Sequence, residues 1–178
     1  MSSLSSRNQK VIRIKSVDSD FEREPLLRPF GFKGKYMSEI WLVGALLESD
    51  SGFREIGLST QSVLWSDPTV FALNSESVGN SFMYAMTKYA LQLIKEKPFH
   101  NPMQLLEDIF EDIYEYGKKI TQNHRLRKTF ALNSLVALDN AAWLIYASEN
   151  GFTSFDRMIP KDYRVGLSYR HKEVAASL

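Results

Sequence analysis

Arg23, Arg28, Lys33, Lys35 and Tyr36 all fall within residues 22–36. Together they could bind a carboxylate, because an arginine guanidinium offers that group a bidentate fork. A plainer reading of the same stretch is a solvated basic loop, with Phe30 and Phe32 tucked into the core. A second set of groups, Glu107, Asp108, Glu111, Asp112 and Glu115, carries the i, i+4 spacings of one helix. No histidine joins them as a carboxylate-bridged di-iron helix requires, so the expectation is a polar helix face. Glu115 and Lys119 are an expected i, i+4 ion pair worth about 0.2–0.5 kcal/mol.

Asp139 is a different case, because it sits on an otherwise apolar helical run. Burying an unpaired carboxylate costs several kcal/mol, so a partner is required. Arg157, a strand residue or the backbone are the candidates. His100, His124 and His171 are scattered among polar neighbours and match no metal-ligand spacing. Arg125, Arg127 and Lys128 form one short basic cluster in a chain of net charge +1, which is weak ground for nucleic acid. The chain has no cysteine, so disulfides, thiolate zinc sites and cysteine nucleophiles are excluded. No phosphate-binding glycine loop or nucleophile elbow is present. The Ser-rich start has no apolar signal core, and no uncharged apolar run is long enough to span a bilayer, so no membrane is expected and the cytoplasm is the expected location.

The elements that must position these groups are legible in outline. Val11, Ile12, Ile14 and Val17 suggest a first strand. Pro25, Pro29, Gly31 and Gly34 then predict a long loop over residues 22–36. Residues 40–47 are almost wholly apolar, as in a central strand covered on both faces. The turn residues Asp50 and Gly52 lead into a third strand over 54–60. Residues 61–79 read as irregular, with a turn at Asp67-Pro68 and a short helix near 69–73. Asn80 or Ser81 is the expected cap of a first long helix. Asn101 and Pro102 open a second, and a third runs over 129–150 to Gly151. The fold class is α+β: a three-stranded antiparallel meander followed by a bundle of about three helices.

That order, with Gly52 and Gly57 in the second hairpin and third strand and with Ala137, Asp139, Ala141, Trp143 and Ile145 on the last helix, resembles the N-terminal capping domain of the enolase superfamily. The nearest branch is that of mandelate racemase and muconate lactonizing enzyme. The run departs from the family at Leu144 and Ser148. The resemblance implies a flexible N-terminus over 1–10, a capping domain over 11–155 and an irregular tail over 156–178, in which Val174 to Leu178 could open a first barrel strand. It also implies two loops that close over a barrel and select substrate, here 22–36 and 59–65. Arg23, Arg28, Lys33, Lys35 and Tyr36 would bind the carboxylate of a small acid, and Phe30, Phe32 and Trp65 would line the lid.

Catalysis in the family belongs to a C-terminal barrel of on the order of 200 residues, with its bases and its Mg²⁺ ligands. The resemblance therefore implies no cofactor and no catalytic residue in this chain, Mg²⁺ in a complete parent enzyme, and activity only with the barrel as partner. The parent reaction would be proton abstraction α to a carboxylate, ending in racemisation, cycloisomerisation or dehydration. The other reading is a stand-alone interaction or dimerisation domain derived from the capping fold, with a homo-oligomer as its partner.

Overall fold

The computed structural model describes residues 10–32 and 34–159. Lys33, the N-terminal residues 1–9 and the expected barrel strand at Val174 to Leu178 lie outside the described residues. Three strands, β1 (Ile14–Phe32), β2 (Lys35–Ser49) and β3 (Arg54–Gln61), form an antiparallel sheet in the order β1-β2-β3. Six helices follow among the described residues: α1 (Val63–Ser66), α2 (Pro68–Leu73), α3 (Glu76–Ile94), α4 (Pro102–Thr121), α5 (Lys128–Asn150) and α6 (Phe155–Met158). The α+β class read from the sequence is the class observed.

Residues 22–36 are not a loop. They are the distal part of a long β1–β2 hairpin, paired from Ile14↔Ser49 to Pro25↔Glu39 and again from Phe30↔Met37 to Phe32↔Lys35. The register shifts between Pro25 and Phe30, and Pro29 falls inside that shift. Proline removes a backbone donor, which a sheet tolerates at an edge strand or a bulge, and β1 supplies both. Gly34 takes the turn at φ +74°, a conformation glycine adopts without steric cost. β3 pairs with β2 only from Trp41↔Gln61 to Glu48↔Arg54. The hairpin beyond Trp41 is therefore a two-stranded arm.

Along β2, Met37, Trp41, Val43, Ala45 and Leu47 are buried while Leu42 is exposed and Leu46 half-buried. The strand is thus covered on one face, against the expectation of two, because the helices pack on a single side of the sheet. On that side α5 meets β3 so closely that a Cβ on Gly57 would lie 2.1 Å from the Ala137 carbonyl oxygen and 2.3 Å from the Ala141 nitrogen. By length and composition α5 could cross a membrane, but 61% of its apolar window is buried inside the protein. Ala137, Leu138, Ala141 and Ile145 make it the central core helix.

The caps of α4 and α5 stand where the sequence puts them. The Asn101 side chain accepts from the Gln104 amide at 3.0 Å, and Gly151 ends α5 at φ +65°. The start of α3 differs. Ser75 is its N-cap, and Asn80 is buried one turn inside, where its Oδ1 accepts the Val63 amide at 2.8 Å. Asn80 thus holds the start of α1. On α4, Glu115 pairs with Lys118 at 2.5 Å rather than with Lys119. Between β3, α3 and α5, Gln61 donates to the Thr87 hydroxyl at 2.8 Å, and that hydroxyl donates to the Ser134 carbonyl at 2.6 Å. These two bonds tie strand to helices, although the Gln61 Oε1 is buried without a donor among the described residues.

Candidate functional site

The distal arm and the segment after β3 meet at one place. The Phe30 ring stands edge-on to Trp65 of α1, with centroids 6.1 Å apart and planes at 87°. This is a preferred geometry for an aromatic pair. Phe30 is 47% and Trp65 53% exposed, so Phe30 is not tucked into the core. Phe32 is half-buried. Tyr36 is paired with Gly31 and lies across it, since a Cβ there would be 3.1 Å from the tyrosine ring. The two stretches singled out as capping loops thus supply one exposed aromatic rim.

Trp65 is positioned by groups that the sequence reading passed over. Asp67 is buried, and its Oδ1 accepts the amides of Thr69 and Val70 at 2.9 and 3.2 Å. Its Oδ2 accepts the Arg127 amide at 2.9 Å, tying the start of α2 to the start of α5. Thr129 donates to the Ser66 carbonyl at 2.7 Å from the same side. The signal was the Asp67-Pro68 pair: an N-cap followed by the residue favoured at the first helical position.

The basic residues divide. The Arg23 guanidinium is occupied by Glu39, with Nε and an Nη on one carboxylate oxygen at 3.0 and 2.6 Å, and it also donates to Ser77. The other Glu39 oxygen accepts from the Trp41 indole and the Ser77 hydroxyl. Arg23 is therefore a rivet between the arm and α3. Glu76 adds a second rivet, accepting from the Ser38 amide at 3.0 Å and from its hydroxyl at 2.8 Å. Arg28, Lys35 and Tyr36 are exposed on the arm, and among the described residues Arg28 and Lys35 make no ion pair.

Burial works against ionisation of Glu39, yet the donors Arg23, Trp41 and Ser77 outweigh it and hold its carboxyl below the ordinary 4.5. A depressed folded value means that ionised Glu39 stabilises fully above the unfolded value and that this stability is lost as pH falls through the folded one. Glu39→Gln should accordingly be less stable than wild type near neutral pH and equal to it at strongly acid pH. Urea titrations at the two extremes read this directly, and a pH-independent difference would contradict it.

Asp139 lines a groove of about 480 Å³ between α4 and α5, with Leu106, Phe110, Leu132 and Val136. Among the described residues it has no ion pair. Its Oδ1 is buried without a donor, and neither the expected ion pair nor the expected backbone hydrogen bond is found among the described residues. Burial pushes its carboxyl above the ordinary 3.8, and a hydrogen bond from Trp143 opposes this in part. Here the folded value is raised, so the cost is absent at low pH and appears as pH rises through that value. Asp139→Asn should be more stable than wild type near pH 7 and no different from it near pH 3. Paired thermal melts at the two values measure it.

No protein-family model matches the chain, and no curated protein matches it. Solved structures do match. A talarate/galactarate dehydratase from Salmonella typhimurium LT2, liganded with Mg and L-lyxarohydroxamate, superposes at a TM-score of 0.51 with 18% identity, over 85% of this chain and 34% of that one. An L-talarate dehydratase from Polaromonas sp. JS666, complexed with Mg and L-glucarate, gives 0.50 and 18% over 79% and 33%. An enolase from Bradyrhizobium, complexed with magnesium and mandelic acid, gives 0.50 and 13% over 80% and 33%. The chain spans about a third of the length of these neighbours. The likeness to the enolase superfamily read from the sequence holds at the level of fold. Among the described residues no three acidic or histidine side chains are grouped to hold a metal ion.

Proposed function

We propose that this chain is the substrate-capping domain of an enzyme of the mandelate racemase and muconate lactonizing type, acting on a small carboxylic acid. The carrying observation is the meeting of Phe30 and Trp65, which brings two separate stretches into one exposed aromatic rim at the end of a projecting arm. Exposed aromatics on an arm are what a lid needs to exclude water when it closes over a site. Arg28 and Lys35, exposed on the same arm, are the groups available to orient a carboxylate, and Lys33 lies between them in sequence. Arg23 is assigned to holding the arm instead, since Glu39 fills its fork.

The chemistry in this reading belongs to a companion barrel, whose residues would hold Mg²⁺, and the ion would there supply electrostatic stabilisation of a substrate carboxylate. This chain alone is then expected to be inactive. The test begins with the coding DNA on both sides of this sequence, read in all frames. A barrel-encoding frame would be expressed joined to this chain and assayed with Mg²⁺ against small hydroxy acids and sugar acids. Trp65→Ala and Arg28→Ala should each then raise KM about tenfold, the loss expected for one charge-assisted or aromatic contact. No barrel in any frame, or unchanged kinetics in both variants, would overturn the reading.

A further inference from the structure

The outer face of the sheet, opposite the helices, carries apolar residues that no other described residue covers. Register places Leu42 between Glu22 and Thr60, Gly44 between Asp20 and Leu58, and Leu46 between Asp18 and Ile56. Directly opposed residues share a face, so Leu42, Leu46, Ile56 and Leu58 make one apolar strip over β2 and β3. Ile56 is 57% and Leu58 68% exposed. Gly44 leaves a depression in the middle, part of a hollow of about 770 Å³ whose lining includes Asp20, Glu22, Leu42 and Leu58. Asp18, Asp20 and Glu22 stand in a row on β1 along one side of the strip, and none makes an ion pair among the described residues.

We infer that this face docks one amphipathic helix of a partner polypeptide, with its apolar stripe on Leu42, Leu46, Ile56 and Leu58 and with Lys or Arg along the side facing Asp18, Asp20 and Glu22. The width of the strip argues for a helix. Two strands about 4.8 Å apart offer roughly 10 Å of apolar surface, the diameter of one helix and less than a second sheet would need. The spacing argues for the charge pattern. Alternate carboxylates on a strand recur every ~6.8 Å, and basic residues at i, i+4 on a helix recur every ~6 Å. The depression over Gly44 receives a side chain of the helix, as a groove receives a ridge. Contiguous apolar surface bordered by charge is the pattern of an interaction site. The face stands apart from the arm tip and does not depend on the capping role.

The probe is a fluorescein-labelled synthetic helix of about five turns, ~18 residues, with a leucine stripe flanked by lysines. Two control peptides carry serine for each leucine, or glutamate for each lysine. Fluorescence anisotropy with the full chain should show the leucine–lysine peptide binding about tenfold or more tightly than either control. Leu42→Ser/Leu58→Ser and Asp20→Asn/Glu22→Gln alter exposed side chains only, and each should weaken binding about tenfold while thermal melts stay near wild type. Equal binding of the serine peptide would reduce the effect to bulk charge attraction and overturn the inference. Unchanged affinity in the leucine variant would do the same. A chain that is dimeric by light scattering, and that Leu58→Lys makes monomeric, would assign the face to a second copy instead.

Discussion

Gly57→Ala is expected to cost about 3 kcal/mol, toward the upper end for overpacking a core. The added carbon would meet the Ala137 carbonyl oxygen and the Ala141 nitrogen, both backbone atoms of α5. A side chain in the way can rotate aside, whereas a helix backbone can only move as a body. α5 is the core helix, so its displacement would open the packing of Ala137, Ala141 and Ile145 together. The loss is readable as a fall in urea midpoint at unchanged slope, or as a drop in Tm of about 10 °C. Gly52→Ala is the matched control. Gly52 sits at φ +89° with nothing within 4 Å of an added carbon, so its cost comes from the backbone alone, about 1 kcal/mol. Equal losses at the two positions would contradict the close approach of β3 and α5.

Asp67→Ala should cost a similar amount, about 3 kcal/mol, by a different route. One carboxylate serves three backbone amides, of Thr69, Val70 and Arg127, and the site is buried. Alanine would leave those donors without an acceptor, two at the start of α2 and one at the start of α5. Asp67→Asn retains one carbonyl oxygen and should lose less. The two variants together separate the N-cap of α2 from the tie to α5. Because Asp67 adjoins Trp65, the alanine variant should also alter tryptophan fluorescence in the folded state. A stability change below about 1 kcal/mol would mean that the tie carries little.

Most of the scaffold was legible because its signals are local. Asn101-Pro102 and Gly151 mark helix ends by cap chemistry, and both act as read. The apolar run at 40–47 announces a strand, but not how many layers cover it. Coverage depends on where the helices pack, which no short window contains. Residues 22–36 misled for a similar reason. Pro25, Pro29, Gly31 and Gly34 argue against regular structure only if the strand has neighbours on both sides, and β1 has one. Arg23 was read as a free cation because its partner is sixteen residues away on β2, brought opposite by the hairpin register. Asn80 was read as a cap, since a buried side chain serving the backbone of a different helix has the same composition as one serving its own. The pairing of Phe30 with Trp65 needed three dimensions, although both residues stood in the stretches singled out.

The arm has a consequence for how this fold can change over generations. Beyond Trp41 it has no third strand, and a free two-stranded ribbon contributes little to global stability. Its attachment is concentrated at the Arg23–Glu39–Ser77 and Ser38–Glu76 contacts, well short of the turn at Gly34. Substitutions and insertions at the turn around Gly34 therefore leave the helices and the three-stranded part of the sheet untouched, while Phe30 keeps the contact with Trp65. A lineage can rewrite the tip freely, altering what it touches at almost no risk to folding, while the rivets and Gly57 hold the rest constant.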